Sequence, residues 1–367
     1  MVNGLTSKQC SNSTIKQFIL KTSLTGIIIF FSLLVNAQSN IWSAKKANDW
    51  YKQQGWLVGC NFLPSTAINQ LEMWEAETFD TATIKRELGW AEGLGFNTLR
   101  VFLHNLVWEN DPSGFKERIN IFLNIASRHH IKPLFVFFDD CWNPEPAYGK
   151  QPLPKPGVHN SGWMRSPNMS VHNAPAKWNV LEKYVKDILS TFKDDKRILL
   201  WDLYNEPGNS DYNMTTMPLL KNIFEWAWTI RPSQPLTAGI WYDNKDFNEF
   251  QLNNSDVITF HNYDSTADME KEIRELLTRG RPVICTEYMA RTHGSKFETH
   301  LPLLKKYNVG AINWGFVSGK SNTIFPWGSK EGSPEPKIWF HDIFRRDGTP
   351  FDRNEVVLIK KLTGKIN

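Results

Sequence analysis

The chain has little of what marks several common classes of protein. Its four cysteines include no Cys-x-x-Cys pair and no spacing typical of a metal site. No block of lysine and arginine interrupts the 367 residues, and the formal charge is only +4. Neither nucleic acid nor an anionic surface is therefore an expected partner. No apolar run approaches the roughly 20 residues needed to cross a bilayer. No glycine-rich phosphate loop follows an early strand-like segment, which argues against a doubly wound nucleotide-binding sheet. His104, His159 and His293 are scattered along the chain, so neither a metal centre nor a cofactor is expected. Internal repeats, low-complexity tracts and linkers between domains are also absent.

What is present starts with an export pattern. Lys16 and Lys21 precede the apolar run Ile27–Val35, and Val35-Asn36-Ala37 offers small residues around a cleavage site. The pattern predicts a signal peptide over 1–37 and a secreted or periplasmic protein whose mature form does not engage the membrane. Residues 38–367 are then expected to form one domain. Cys10 precedes the apolar run instead of following it, unlike a lipoprotein cysteine. Cleavage would remove three lysines and no acid, lowering +4 to about +1. It would leave Cys60, Cys141 and Cys285, an odd number. Each lies at or near the end of an apolar segment, so buried thiols are expected, with a single disulfide as the alternative.

From residue 56 onward, short apolar runs alternate with longer amphipathic ones. The strand-like runs are 56–62, 97–103, 132–138, 198–204, 235–240, 256–260, 282–286 and 310–314. Their hydrophobicity is nearly continuous, as in strands covered on both faces. Helical patterns lie between them at 79–94, 115–130, 177–192, 217–230, 267–279 and 296–307. Asp111-Pro112-Ser113-Gly114 is a helix-start signal for the second. Eight such units predict an α/β fold, a single (β/α)8 TIM barrel, with residues 38–55 forming a short helix beneath it. The proline-rich stretch 139–175 predicts a long non-helical loop after the third strand, on the face where barrels build their sites.

Polar residues cluster where the strand-like runs stop. Arg100 lies within an apolar run, a costly place for an unpaired charge. Asn205 and Glu206 follow the fourth run, His261 and Tyr263 the sixth, Glu287 the seventh, and Trp314 ends the eighth. Two carboxylates on opposite sides of a barrel mouth suit glycoside hydrolysis, one protonating the leaving oxygen while the other faces the anomeric carbon. Arg100 and Tyr263 can hold Glu287 ionised, and Asn205 can donate to a sugar hydroxyl. The 16 tryptophans exceed what one core usually requires, and large flat side chains suit sugar clefts. Trp241, ending the fifth run, fits substrate contact and packing equally. Trp142, Trp163 and Trp327 fall in loops, with the same two readings.

Taken in order, Arg100, Asn205-Glu206-Pro207, His261-x-Tyr263, Glu287 and Trp314 resemble clan A of the glycoside hydrolases, and family 5, the cellulase and mannanase family, in particular. The resemblance spans about residues 56–316. It implies Glu206 as acid/base, Glu287 as nucleophile, Arg100, Asn205, His261 and Tyr263 as their support, and Trp314 as the platform beneath the sugar. It departs from the family near the end of the third strand. A histidine is usual there; this chain has Phe138-Asp139-Asp140-Cys141-Trp142, and Asp140 is expected to take that place against a sugar hydroxyl. The implied activity is retaining hydrolysis of a β-linked oligosaccharide or polysaccharide of glucan, mannan or xylan type. The competing readings are a non-catalytic glycan-binding barrel and a transglycosylase. The oligomeric state is left open.

Overall fold

Eight short parallel strands form the centre of the molecule: β1 Val58–Asn61, β2 Thr98–Phe102, β3 Lys132–Val136, β4 Trp201–Asp202, β5 Leu236–Thr237, β6 Ile258–His261, β7 Val283–Glu287 and β8 Gly310–Asn313. They pair in the order β5-β4-β3-β2-β1-β8-β7-β6. At the seam between β5 and β6, Ile240 N donates to Thr259 O (3.0 Å) and His261 N to Ile240 O (2.9 Å). The result is a nearly closed (β/α)8 TIM barrel with helices between the strands. The computed structural model describes residues 40–366, and from Ile41 onward they form one compact unit. The expected signal segment, 1–37, lies outside the described residues.

β4 and β5 are shorter than the apolar runs that predicted them. Leu203 and Tyr204 continue the hydrophobicity past Asp202 because they remain buried in the core. The six expected helices form with ends shifted by up to three residues, and the start signal acts as read: the Asp111 carboxylate accepts from Gly114 N (2.9 Å), with Pro112 in the first turn. The helix Lys245–Asn254 had no clear signature, since only Phe247 and Gln251 of its ten residues are buried. Asn244 starts it by accepting from Phe247 N (3.1 Å).

The helix Ala44–Gln54 packs beneath the barrel, as expected for 38–55. Trp42, Ala47 and Tyr51 join Leu57, Leu199, Leu200 and Val257, which lead into the strands, and Trp42 N donates to Asp256 (2.6 Å). The stretch 139–175 differs from expectation in containing one helical turn, Met169–His172. Asn168 supplies its cap by accepting from Val171 N. Cys60, Cys141 and Cys285 are buried free thiols.

Candidate active site

Arg100 organises the mouth of the barrel. Its side chain lies on β2, fully buried, and all five of its N–H donors are used. Nε and one terminal nitrogen donate to Asp202 on β4 (3.0 and 2.8 Å). That same nitrogen donates to Asn205 Oδ1 (2.7 Å). The other donates to Asn61 Oδ1 on β1 (3.0 Å) and to Glu287 Oε1 on β7 (2.7 Å). One guanidinium thereby ties four strands and compensates two buried carboxylates. Asp202 and Asn61 were not singled out in the sequence. Asp202 had a legible signal, however: an acid inside an apolar run needs a buried cation, and Arg100 needed an anion.

Glu287 takes a second donor at its other oxygen, the Tyr263 hydroxyl (2.9 Å). A bulge between Phe260 and His261 makes this geometry. It pairs Phe260 with Cys285 and then His261 with Glu287, skipping Thr286. Bulges re-aim side chains in this way. His261 consequently lies between the two glutamates, with Nδ1 2.8 Å from Glu206 Oε1 and Nε2 3.6 Å from Glu287 Oε1. Burial lowers the His261 pKa to about 4, so the ring is neutral near pH 7.

Glu206 is held in a strained turn. Its φ is +44°, a left-handed conformation that costs a non-glycine residue about 1–3 kcal/mol and recurs at functional sites. Three contacts keep the turn in place: Asn209 N to Glu206 O (3.0 Å), Gly208 N to Asp140 Oδ2 (2.7 Å) and Trp241 Nε1 to Pro207 O (3.1 Å). The carboxyl group itself contacts His261 at Oε1, and Cys141 and Asn209 at Oε2 (3.1 and 2.5 Å).

Burial raises the proton affinity of both glutamates. Only Glu287 has a full positive charge at hydrogen-bond distance, so Arg100 and Tyr263 draw it back toward the ionised form. Glu206, bonded to neutral groups, keeps its proton more readily. Two carboxylates with environments this unequal can divide acid and nucleophile roles. Among the described residues, Glu206, His261 and Glu287 each place one donor atom within 4.8 Å of the others, a spacing a cation could also use. Every carboxylate oxygen there already has a partner, and the guanidinium occupies the position of countercharge.

Glu206, Glu287, Asn205, His261, Tyr263, Trp241 and Trp314 all line one cleft of about 440 Å³, together with Trp142 and Trp327 from the loops. Asp140 does not line it. Burial leaves that carboxylate dependent on Tyr204 Oη, Thr216 Oγ1 and Gly208 N (2.6, 2.6 and 2.7 Å), and raises its pKa to about 7. The expectation of a sugar contact from Asp140 is corrected accordingly: Asp140 anchors the Glu206 turn from behind. Asp139 accepts from Asn205 Nδ2 (2.9 Å) and from Trp163 Nε1 (2.7 Å). Trp163 is nearly all buried, packed edge-on to Trp314, and also lines the cleft.

Asp140→Ala orphans three donors, at about 1 kcal/mol or more each. It is expected to lower the urea midpoint and kcat while KM stays within about twofold of wild type. Chemical denaturation and steady-state kinetics read the two effects, and a rise in KM with stability unchanged would restore the sugar-contact reading.

Residues 66–319, more than half of the chain, match the family model Cellulase (glycosyl hydrolase family 5). The chain belongs to glycosyl hydrolase family 5. It is a glycosidase, acting on carbohydrate through that family's barrel. Solved structures agree on the fold. The endo-1,4-beta-mannanase from Rhizomucor miehei is 14% identical with a TM-score of 0.54, over 85% of this chain and 94% of that one. The exo-beta-1,4-mannosidase from Opitutaceae bacterium strain TAV5 is 15% identical with a TM-score of 0.60, over 85% and 60%. A family 5 protein from Streptomyces cattleya in complex with GlcNAc is 12% identical with a TM-score of 0.57, over 85% and 80%. No curated protein sequence shows significant similarity.

Proposed function

We propose that this family 5 enzyme is an exported, retaining β-glycosidase that works by double displacement, with Glu287 as nucleophile and Glu206 as acid/base. The observation carrying the reading is the separation of the two carboxyl groups. An oxygen of each lies within 4.8 Å of the other. Retaining enzymes hold the pair about 5–5.5 Å apart, whereas inverting enzymes leave about 6.5–9.5 Å for a water. Glu287 attacks the anomeric carbon as Glu206 protonates the departing oxygen, giving a glycosyl ester. Glu206, now a carboxylate, takes a proton from water, which attacks the same carbon and releases Glu287. Proton NMR of the first product should show the β-anomer, with the α-anomer appearing only by mutarotation; immediate α-product would contradict the reading. Export rests on the 1–37 pattern, and recovery of the mature protein outside the cytoplasm tests it.

The loops add a mode of action. The segment after β3 and the segment after β8 are joined: Asn160 N to Ser321 O (2.9 Å), Gly332 N to Pro156 O (2.8 Å) and His159 Nδ1 to Phe325 O (2.7 Å). Gly157 makes the approach feasible, since its φ is +77° and a Cβ there would lie 2.6 Å from the Ser333 backbone. In the strand order, this bridge arches over β2 and β1, beside Trp314. A wall behind the platform for the glycone sugar favours removal of single residues from chain ends of a β-linked glycan. Among the mannan, glucan and xylan types, mannosides head the panel because enzymes of like fold act on mannan. Short aryl β-glycosides should be cleaved and oligosaccharides should release only monosaccharide. Internal cutting of polymer with aryl glycosides ignored would refute the exo mode.

A further inference from the structure

After Asp140 the chain turns back toward the barrel mouth, and Cys141 N donates to Asp139 Oδ1 (2.9 Å). Asp139 is itself held by Asn205 and Trp163, so the backbone at Cys141 is tied to both. The Cys141 sulfur then sits 3.1 Å from Glu206 Oε2 and 3.4 Å from Asn205 Nδ2, in the wall of the cleft. An amide nitrogen can only donate, so the sulfur accepts from Asn205. Its own proton is free for the carboxylate. Neither the two-glutamate chemistry nor the Arg100 network requires a thiol at this place.

We propose that Cys141 is a positioning residue for the acid/base: its S–H holds Glu206 Oε2 and favours the carboxylate that remains once the proton has gone to the leaving group. The contact forms no covalent bond and consumes no oxidant; the thiol keeps its proton throughout. Burial, with Asp139 and the two glutamates nearby, pushes the Cys141 thiol well above its ordinary range, which keeps it a donor at any working pH. Asn209 Nδ2 reaches the same oxygen (2.5 Å), so Oε2 has two donors while Oε1 has only His261. The carboxyl group is thus held in one rotation between the thiol and the imidazole. The inference rests on Glu206 being the acid/base.

The pH profile of kcat/KM tests it, because the alkaline limb reports the group that must be protonated. A donor to the ionised form lowers that group's pKa. Cys141→Ala should move the alkaline limb up by about 0.5 unit, the scale of a weak hydrogen bond, and lower kcat several-fold. Cys141→Ser, which keeps a donor, should restore kcat and return the limb to the wild-type position or below. An unmoved limb in Cys141→Ala, or a limb that rises equally in both variants, overturns the proposal. If the alanine variant does not fold, the serine variant decides: a limb above wild type refutes the thiol's role. Azide products from Glu206→Ala identify the acid/base separately, so failure of this inference and failure of the Glu206 assignment give different results.

Discussion

Glu287→Ala is expected to lose roughly 10⁴-fold or more in kcat on every glycoside, whatever its leaving group, because the group that attacks the anomeric carbon is gone. Glu206→Ala should behave differently. Loss of general acid catalysis costs about 10²–10⁴-fold where the leaving group needs a proton, and far less where it is already a good one, such as a dinitrophenolate. The two variants also separate under azide. A small anion in the space vacated by Glu287 attacks from that side and yields the α-glycosyl azide. In Glu206→Ala the covalent intermediate still forms, and azide takes it to the β-glycosyl azide. Rates across a leaving-group series and the configuration of the azide products check both assignments. Identical behaviour of the two variants would show that the roles are not divided as the unequal environments of the two carboxylates require.

The second large effect concerns Arg100. Arg100→Met leaves Asp202 and Glu287 as buried anions without a countercharge, and removing one partner of a buried ion pair typically costs about 3–5 kcal/mol. Asn61 and Asn205 lose their donor too. Urea denaturation should show that loss, and adding Asp202→Asn should recover part of it by removing one orphaned charge. Activity should fall from the acid side. Arg100 favours the ionised form of Glu287; without it the pKa of Glu287 rises, and a smaller fraction is ionised at any given low pH. The acid limb of kcat/KM therefore moves to higher pH. Arg100→Lys keeps the charge but offers three donors in place of a planar fork of five, so an intermediate result is expected. Unchanged stability in Arg100→Met would mean that the buried anions find another partner.

The sequence made the barrel legible because its strands are covered on both faces and so read as nearly unbroken apolar runs. Residues such as Glu206 and Glu287 stood out because each follows directly or closely on such a run. What remained hidden depended on contacts between distant segments. Asp140 could not be distinguished from a cleft residue, since its partners Tyr204 and Thr216 lie 64 and 76 positions away. The same holds for Cys141, which read as the buried end of an apolar run and is buried, but against Glu206. The helix Lys245–Asn254 escaped notice because two buried positions do not make a periodic stripe.

The central claim is that Glu287 forms a covalent bond to the sugar. The most direct test is to incubate the enzyme with a 2-deoxy-2-fluoro β-glycoside bearing a good leaving group, then digest it and map the labelled peptide by mass spectrometry. The electron-withdrawing fluorine slows both steps, while the good leaving group lets the intermediate accumulate. One fluoroglycosyl group per chain is expected, on Glu287. A label on any other residue, or full turnover with no adduct under conditions where the substrate is cleaved, would contradict it.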